Sequence, residues 1–190
     1  MKTKTVFFLV IIAAALLLLS GNTVFAQENA ENAIYIGEDG ANVPTLASNT
    51  DVTIHGSMWH QQDKSKFASF KAYGWGTYAK LKAAGSQWVH ISVPIMTYLS
   101  GVAQKIEYVE FCAKSTAGAT TKPDWMDLWA GTSRFLTEAV TWPADNSYHC
   151  VGHTFSPAVW YQDLGISVRL TFADPSETIT LYKAWARLVP

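Results

Sequence analysis

The sequence predicts an all-β protein: an antiparallel β-sandwich, jelly-roll-like or immunoglobulin-like, of about seven to nine strands behind an N-terminal signal peptide. Three observations predict it. Segments of alternating apolar and polar residues recur along the chain, the period of a half-buried strand. Turn-forming Gly, Pro and Asp separate them at intervals of about 10 to 15 residues. No long segment repeats apolar residues at helical spacing; only Lys64–Tyr73 and Tyr78–Ala84 leave room for a helical turn.

The first 26 residues read as an export signal. Lys2 and Lys4 form a basic start, Val6–Leu19 is an unbroken apolar run of 14 residues, and Val24-Phe25-Ala26 ends in a cleavage-site pattern. The run is shorter than the roughly 18 to 20 residues that span a bilayer, which weighs against the alternative of a membrane anchor. Leu19-Ser20-Gly21 resembles the start of a lipoprotein signal, but Asn22 stands where a lipid-bearing Cys is required. The expected product is secreted, extracellular or periplasmic, cleaved after Ala26 and free of a stable membrane anchor.

The remaining 164 residues fit one domain; 27–50 read as a polar N-terminal arm and 51–190 as the β-sandwich domain. In the arm, Ile34-Tyr35-Ile36 is a candidate short strand. Without the leader the chain carries 12 basic and 15 acidic residues, a net charge of −3. No basic run occurs, so nucleic acid is not an expected partner. Sparse charge and plentiful aromatics argue against disorder.

The strands follow in order. Val52 and Ile54 alternate with Thr53 and His55. Val89, Ile91 and Val93 alternate with Trp88, His90 and Ser92, and Pro94 ends that run. A strand over 102–113 places Ile106, Tyr108 and Cys112 on one face. Trp125–Trp129, Ala130-Gly131 and Arg134–Leu136 form a hairpin. Leu164, Ile166, Val168, Leu170 and Phe172 alternate cleanly with Gly165, Ser167, Arg169 and Thr171, and Asp174-Pro175 turns the chain. Thr178–Val189 closes the domain with Ile179, Leu181 and Trp185 on one face. Two cysteines, Cys112 and Cys150, favour one disulfide in an oxidising compartment; the alternative is two separate buried thiols.

Several stretches together resemble an uncharacterised family of small bacterial β-sandwich proteins, catalogued as a domain of unknown function. They are Ile54-His55-Gly56, Gly74-Trp75-Gly76-Thr77, the Trp88-Val89-His90 to Pro94 segment, and Leu164-Gly165-Ile166-Ser167-Val168. The resemblance spans about residues 52–189 and implies the fold class; it implies no activity. The chain departs from the pattern at Ala130-Gly131, where the family has Asp-Gly, and after Pro94, where a second Pro is missing. The cysteine pair is not part of the resemblance.

Catalytic constellations are absent from the sequence pattern. There is no Gly-x-Ser-x-Gly elbow and no Gly-rich phosphate loop. His149 and His153 would lie about 13 Å apart on a strand, too far to share one metal ion. Asp124, Asp127 and Glu138 have no spacing that argues for paired acid–base work. No catalytic residue, metal site or cofactor is expected.

The eight tryptophans are the suggestive set. Trp75, between two glycines, and Trp185, on the last strand, are read as core. Trp59, Trp88, Trp125 and Trp129 sit in polar company, with His90 beside Trp88 and Asp127 between Trp125 and Trp129. Exposed rings stack on the apolar faces of sugars while neighbouring polar groups bond their hydroxyls. Trp59, Trp88, His90, Trp125, Asp127 and Trp129 are therefore the candidate ligand-binding residues, with a glycan or cell-wall polymer as partner. The expected function is a secreted, non-catalytic binding module for carbohydrate or cell-surface polymer. One alternative is a structural, self-assembling extracellular protein that pairs strands into a homo-oligomer; a hydrolase is the distant one.

Overall fold

The computed structural model describes residues 48–190. The expected signal peptide and all but the last residues of the expected 27–50 arm, Ile34-Tyr35-Ile36 included, lie outside the described residues. The described residues fold into β1 (Thr50–His55), β2 (His60–Gln61), β3 (Phe67–Tyr73), β4 (Gly76–Leu81), β5 (Gly85–Val93), β6 (Tyr98–Leu99) and β7 (Val102–Ala103). Then come β8 (Lys105–Ser115), β9 (Lys122–Ala130), β10 (Ser133–Ala139), β11 (Tyr148–Val159), β12 (Leu164–Phe172) and β13 (Ile179–Val189). The two stretches considered for helical turns form the β3–β4 hairpin instead. Only Lys64–Lys66 keeps a single 3-10 turn, capped by Asp63, and a second 3-10 turn covers Gly56–Met58.

Two antiparallel sheets face each other. The first, sheet A, is six-stranded, in the order β11-β8-β13-β4-β3, with β1 also paired to β13. The second, sheet B, is five-stranded, in the order β10-β9-β12-β5-β2. The core lies between them. Leu164, Ile166, Val168, Leu170 and Phe172 of β12 point inward, as their alternation predicts, and meet Val89, Ile91 and Val93 of β5 with Met126 and Leu128 of β9. Sheet A answers with Val109, Phe111 and Ala113 of β8 and Ile179, Leu181, Ala184, Ala186 and Leu188 of β13. Phe111 is flanked by two indoles: Trp142 stacks at 6.4 Å and Trp59 meets it edge-on at 6.4 Å.

Two bulges correct the expected faces. In β8, Tyr108 pairs with Arg187 but Ile106 with Leu188, so Glu107 is an extra residue. Ile106 therefore turns inward while Tyr108 and Cys112 stay on the outer face. In β13, Leu181 pairs with Ala113 but Lys183 with Cys112, so Tyr182 is extra. Ile179 and Leu181 point inward, and Trp185 points outward. A strict period of two cannot survive an inserted residue.

The Tyr182 bulge is where β13 exchanges partners. Ile179–Leu181 pair with β4, and Lys183–Leu188 pair with β1. Two glycines allow the junction. A Cβ at Gly56 would lie 1.8 Å from the Tyr182 carbonyl oxygen, and one at Gly76 would lie 2.4 Å from that of Leu181. Thr77 ties the two turns together by donating its hydroxyl to the Gly56 carbonyl at 2.7 Å.

Cys112 and Cys150 are directly opposed on β8 and β11 and form the disulfide, with a sequence separation of 38.

Candidate functional site

The outer face of sheet B gathers five of the six candidate residues. Register sets Trp125, Asp127 and Trp129 of β9 opposite Arg169, Ser167 and Gly165 of β12, and these opposite Trp88, His90 and Ser92 of β5. Trp88, Trp125 and Trp129 are each half-buried. Trp59 is not among them: the 3-10 turn of Gly56–Met58 carries the chain inward, and its ring is only 2% exposed in the core.

Two arginine–carboxylate pairs bridge the strands of this face. Arg169 grips Asp124 through two bonds of 2.8 and 3.0 Å, which holds the guanidinium pKa above its ordinary value, and Thr171 donates to the same carboxylate. Asp127, 3% exposed, accepts from Arg134 at 3.1 Å and from Thr137 at 2.6 Å. Thr137 in turn accepts from the Trp125 indole N–H at 2.8 Å. Arg169 lies over the Trp125 ring and Arg134 over the Trp129 ring, at 5.3 and 5.8 Å. His90 Nδ1 is 2.7 Å from the Ser167 hydroxyl, and burial holds its pKa below the ordinary histidine value, with the charge of His60 adding to the effect.

A second cluster occupies the β4 end of sheet A's outer face. Trp75 was expected in the core. It sits instead at the tip of the two-residue turn joining β3 and β4, between the paired Tyr73 and Gly76, and is 51% exposed. Tyr73 stacks on it at 5.0 Å with 5° between the planes. Trp75 also meets Tyr182 at 6.2 Å, and Tyr182 meets Tyr148 of β11 edge-on at 5.1 Å. Four rings thus run in contact across the face. Tyr73 and Tyr148 are themselves exposed, and partial burial raises the Tyr148 pKa, with Glu110 and Tyr182 contributing.

Two of these rings, Trp75 and Tyr182, border an open cleft of about 370 Å³. Trp75 and Tyr182 supply its aromatic lining; Lys114, Ser115, Thr116, Thr178 and Thr180 supply its polar lining. The Ser115 hydroxyl is committed to the Thr121 carbonyl and the Ala117 N–H, and Thr116 is bound to the Thr178 backbone. Among the described residues, neither the Thr180 hydroxyl nor the Lys114 ammonium has a protein partner. A Trp flanked by two glycines is a turn signal, and here it marks the hairpin tip.

Beyond the Tyr182 bulge the same face changes character. Trp185 donates its N–H to Glu110 and lies between Lys183 and Arg187, and Arg187 grips Asp51 at 2.9 and 3.1 Å. The other groups weighed for chemistry are each engaged. His149 bonds Asp145 and His153 bonds Glu138, so the two histidines serve different carboxylates. Glu110, Cys112 and Cys150 lie within metal-ligand spacing, but both sulfurs are in the disulfide and offer no thiolate.

No family model and no curated protein sequence matches the chain. Solved structures do. A low-affinity xylan-binding module, CBM86, from the gut symbiont Roseburia intestinalis is 12% identical over 73% of this chain and 96% of its own, with a TM-score of 0.46. TmCBM61, solved with β-1,4-galactotriose, is 10% identical over 71% of this chain and 90% of its own, with a TM-score of 0.44. A family 29 carbohydrate-binding module from Piromyces equi is 9% identical over 74% and 90%, with a TM-score of 0.42. At these identities the ligands named are those proteins' own.

Proposed function

We propose that this chain is an exported, non-catalytic module that binds carbohydrate through the aromatic cleft at the β4 end of sheet A. The observation that carries the reading is the contact run Tyr73–Trp75–Tyr182–Tyr148 beside a hydroxyl- and lysine-lined cleft. Exposed rings held by their neighbours lose little conformational freedom on binding. Their faces receive the C–H surface of a sugar, while the Thr180 hydroxyl and Lys114 ammonium are placed to bond its hydroxyls. The leader and the Cys112–Cys150 bridge support export to an oxidising compartment.

The test is a polysaccharide and cell-wall-polymer binding screen of the purified protein, with Trp75→Ala beside it. The expected outcome is retention by at least one glycan and a loss of about tenfold or more in the variant, equivalent to about 1.4 kcal/mol. Absence of binding to any glycan above a denatured control overturns the reading.

A second reading places the glycan on the sheet-B face, at Trp88, His90, Trp125, Asp127 and Trp129. The adjacency of those residues across three paired strands favours it. Trp88→Ala separates the two: it weakens binding only if this face is the site. Assembly by strand addition is less well supported. Edge strand β3 carries the exposed Lys71, and edge strand β11 carries Pro157, which donates no hydrogen bond; both discourage edge pairing.

A further inference from the structure

The charge around the aromatic cleft narrows the kind of carbohydrate it suits. Sheet A's register places Lys71, Tyr78, Thr180, Lys114 and Tyr148 in one row across β3, β4, β13, β8 and β11. Tyr78, Thr180 and Lys114 are on the outer face, because their neighbours Thr77, Ala79, Ile179, Leu181, Ala113 and Ser115 are buried, and Lys71 and Tyr148 share that face as their register partners. Lys80, two residues along β4 from Tyr78, lies in the adjoining row opposite Ser69. At about 4.8 Å between strands, Lys71 and Lys114 are roughly 14 Å apart, one on each side of the Trp75–Tyr182 lining.

Among the described residues, no carboxylate lines the cleft. The nearest acids have other work. Glu177 accepts from the Thr121 hydroxyl and the Asp174 N–H, and Glu110 accepts from the Trp185 indole and lies 3.8 Å from Lys183. Asp174 bonds Ser176 and is close enough to feel the charge of Lys80. Among the described residues, Lys71, Lys80 and Lys114 form no ion pair. The chain as a whole is slightly acidic, so this local positive set is not a consequence of composition.

Resting on the carbohydrate reading above, we propose that the ligand of this cleft is a polysaccharide of uronic acids, its carboxylates set against Lys114, Lys71 and Lys80 while its ring faces lie on Trp75 and Tyr182. Lysines act as separated point charges, not forks. Spread over roughly 14 Å, they suit a polymer with one charge per sugar better than a densely sulfated one.

The experiment compares binding of the purified protein to polygalacturonate, to the same polymer with its carboxyls reduced to alcohols, and to dextran sulfate. Lys114→Gln and Trp75→Ala are assayed in parallel. Polygalacturonate is expected to bind at least tenfold more tightly than its reduced form, more weakly as salt is raised, and about fivefold more weakly to Lys114→Gln. Both side chains are exposed, and the unfolding midpoint of each variant confirms that the fold is intact. Equal binding of native and reduced polymers overturns the uronate inference and leaves the carbohydrate reading standing. Tighter binding to dextran sulfate also overturns it. Binding to none of these, nor to any other glycan in the screen, overturns both.

Discussion

On the outer face of sheet B, charged groups find partners one strand away. Arg169 is held by Asp124, Arg134 by Asp127, and each guanidinium covers a tryptophan ring. At the β4 end of sheet A, the rings touch one another, and among the described residues the lysines have no such partners. Both regions are aromatic and charged, so composition does not distinguish them. The difference lies in what is left unsatisfied. The sheet-B face ties Arg169 and Arg134 to carboxylates across paired strands, and among the described residues the buried Trp129 indole N–H is left without a partner. The cleft keeps exposed ring faces and, among the described residues, donors without a protein partner, the features on which the proposed glycan site rests. The Tyr182 bulge sets the boundary, because it turns Trp185 into the paired half of sheet A and leaves Tyr182 in the open half.

The largest effect expected on this comparison is in stability. The disulfide links β8 and β11 on the same outer face, two residues along each strand from Lys114 and Tyr148, whereas sheet B has no covalent link among the described residues. Replacing Cys112 and Cys150 together by Ala frees a separation of 38 residues and should cost about 3 to 4 kcal/mol in denaturant titration. Trp75-dependent glycan binding should persist in the variant. A loss of binding at full folding would show that the bridge positions Tyr148 and its neighbours.

Asp127→Ala comes next. It removes the buried acceptor of Arg134 and Thr137 and should cost about 2 kcal/mol of stability. It should leave glycan binding unchanged. The reverse result, weak binding with unchanged stability, would move the functional site to sheet B. Trp75→Ala is the mirror experiment: about tenfold weaker binding, with stability changed by less than about 0.5 kcal/mol.

Sequence pattern captured the sandwich because its central strands alternate without interruption, β12 above all. It failed where a single residue was inserted. Glu107 and Tyr182 each shift the register, so Ile106 and Trp185 fell on the wrong faces. The site was partly visible. Period two puts Trp88 with His90 on one face of β5 and Trp125, Asp127 and Trp129 on one face of β9; the pairing of both strands with β12 brings the two sets together. Trp59 and Trp75 were exchanged in effect, because tertiary packing decides which ring a turn buries. Trp59 follows a 3-10 turn that tips inward, while Trp75 occupies a hairpin tip with no layer above it. The quoted motif stretches meet in pairs: Gly56 and Gly76 cradle the Tyr182 bulge, and His90 bonds Ser167. Such meetings depend on strand order, which a linear pattern does not contain.

The smallest effect is a pH dependence confined to the sheet-B face. His90 is half-buried beside Ser167, faces His60 on β2, and lies one strand beyond Ser167 from Asp127. Burial holds its folded pKa below the ordinary histidine value near 6.5, and the His60 charge lowers it further. As pH falls through 6.5 the unfolded chain takes up this proton while folded His90 stays neutral, so protonation favours unfolding. Stability should therefore decline below about pH 6.5 and stop declining, for this group, once pH passes the folded pKa. The informative quantity is the difference between the parent protein and His90→Gln. Glutamine keeps a hydrogen-bonding group toward Ser167 and does not titrate. Urea titrations from about pH 7.5 to about pH 5.5 should show a shallower decline in the variant, while glycan binding by the two proteins stays equal at every pH. An identical decline in both would mean that His90 ionises as freely in the sheet as in water, and that the sheet-B face is less closed than its geometry implies.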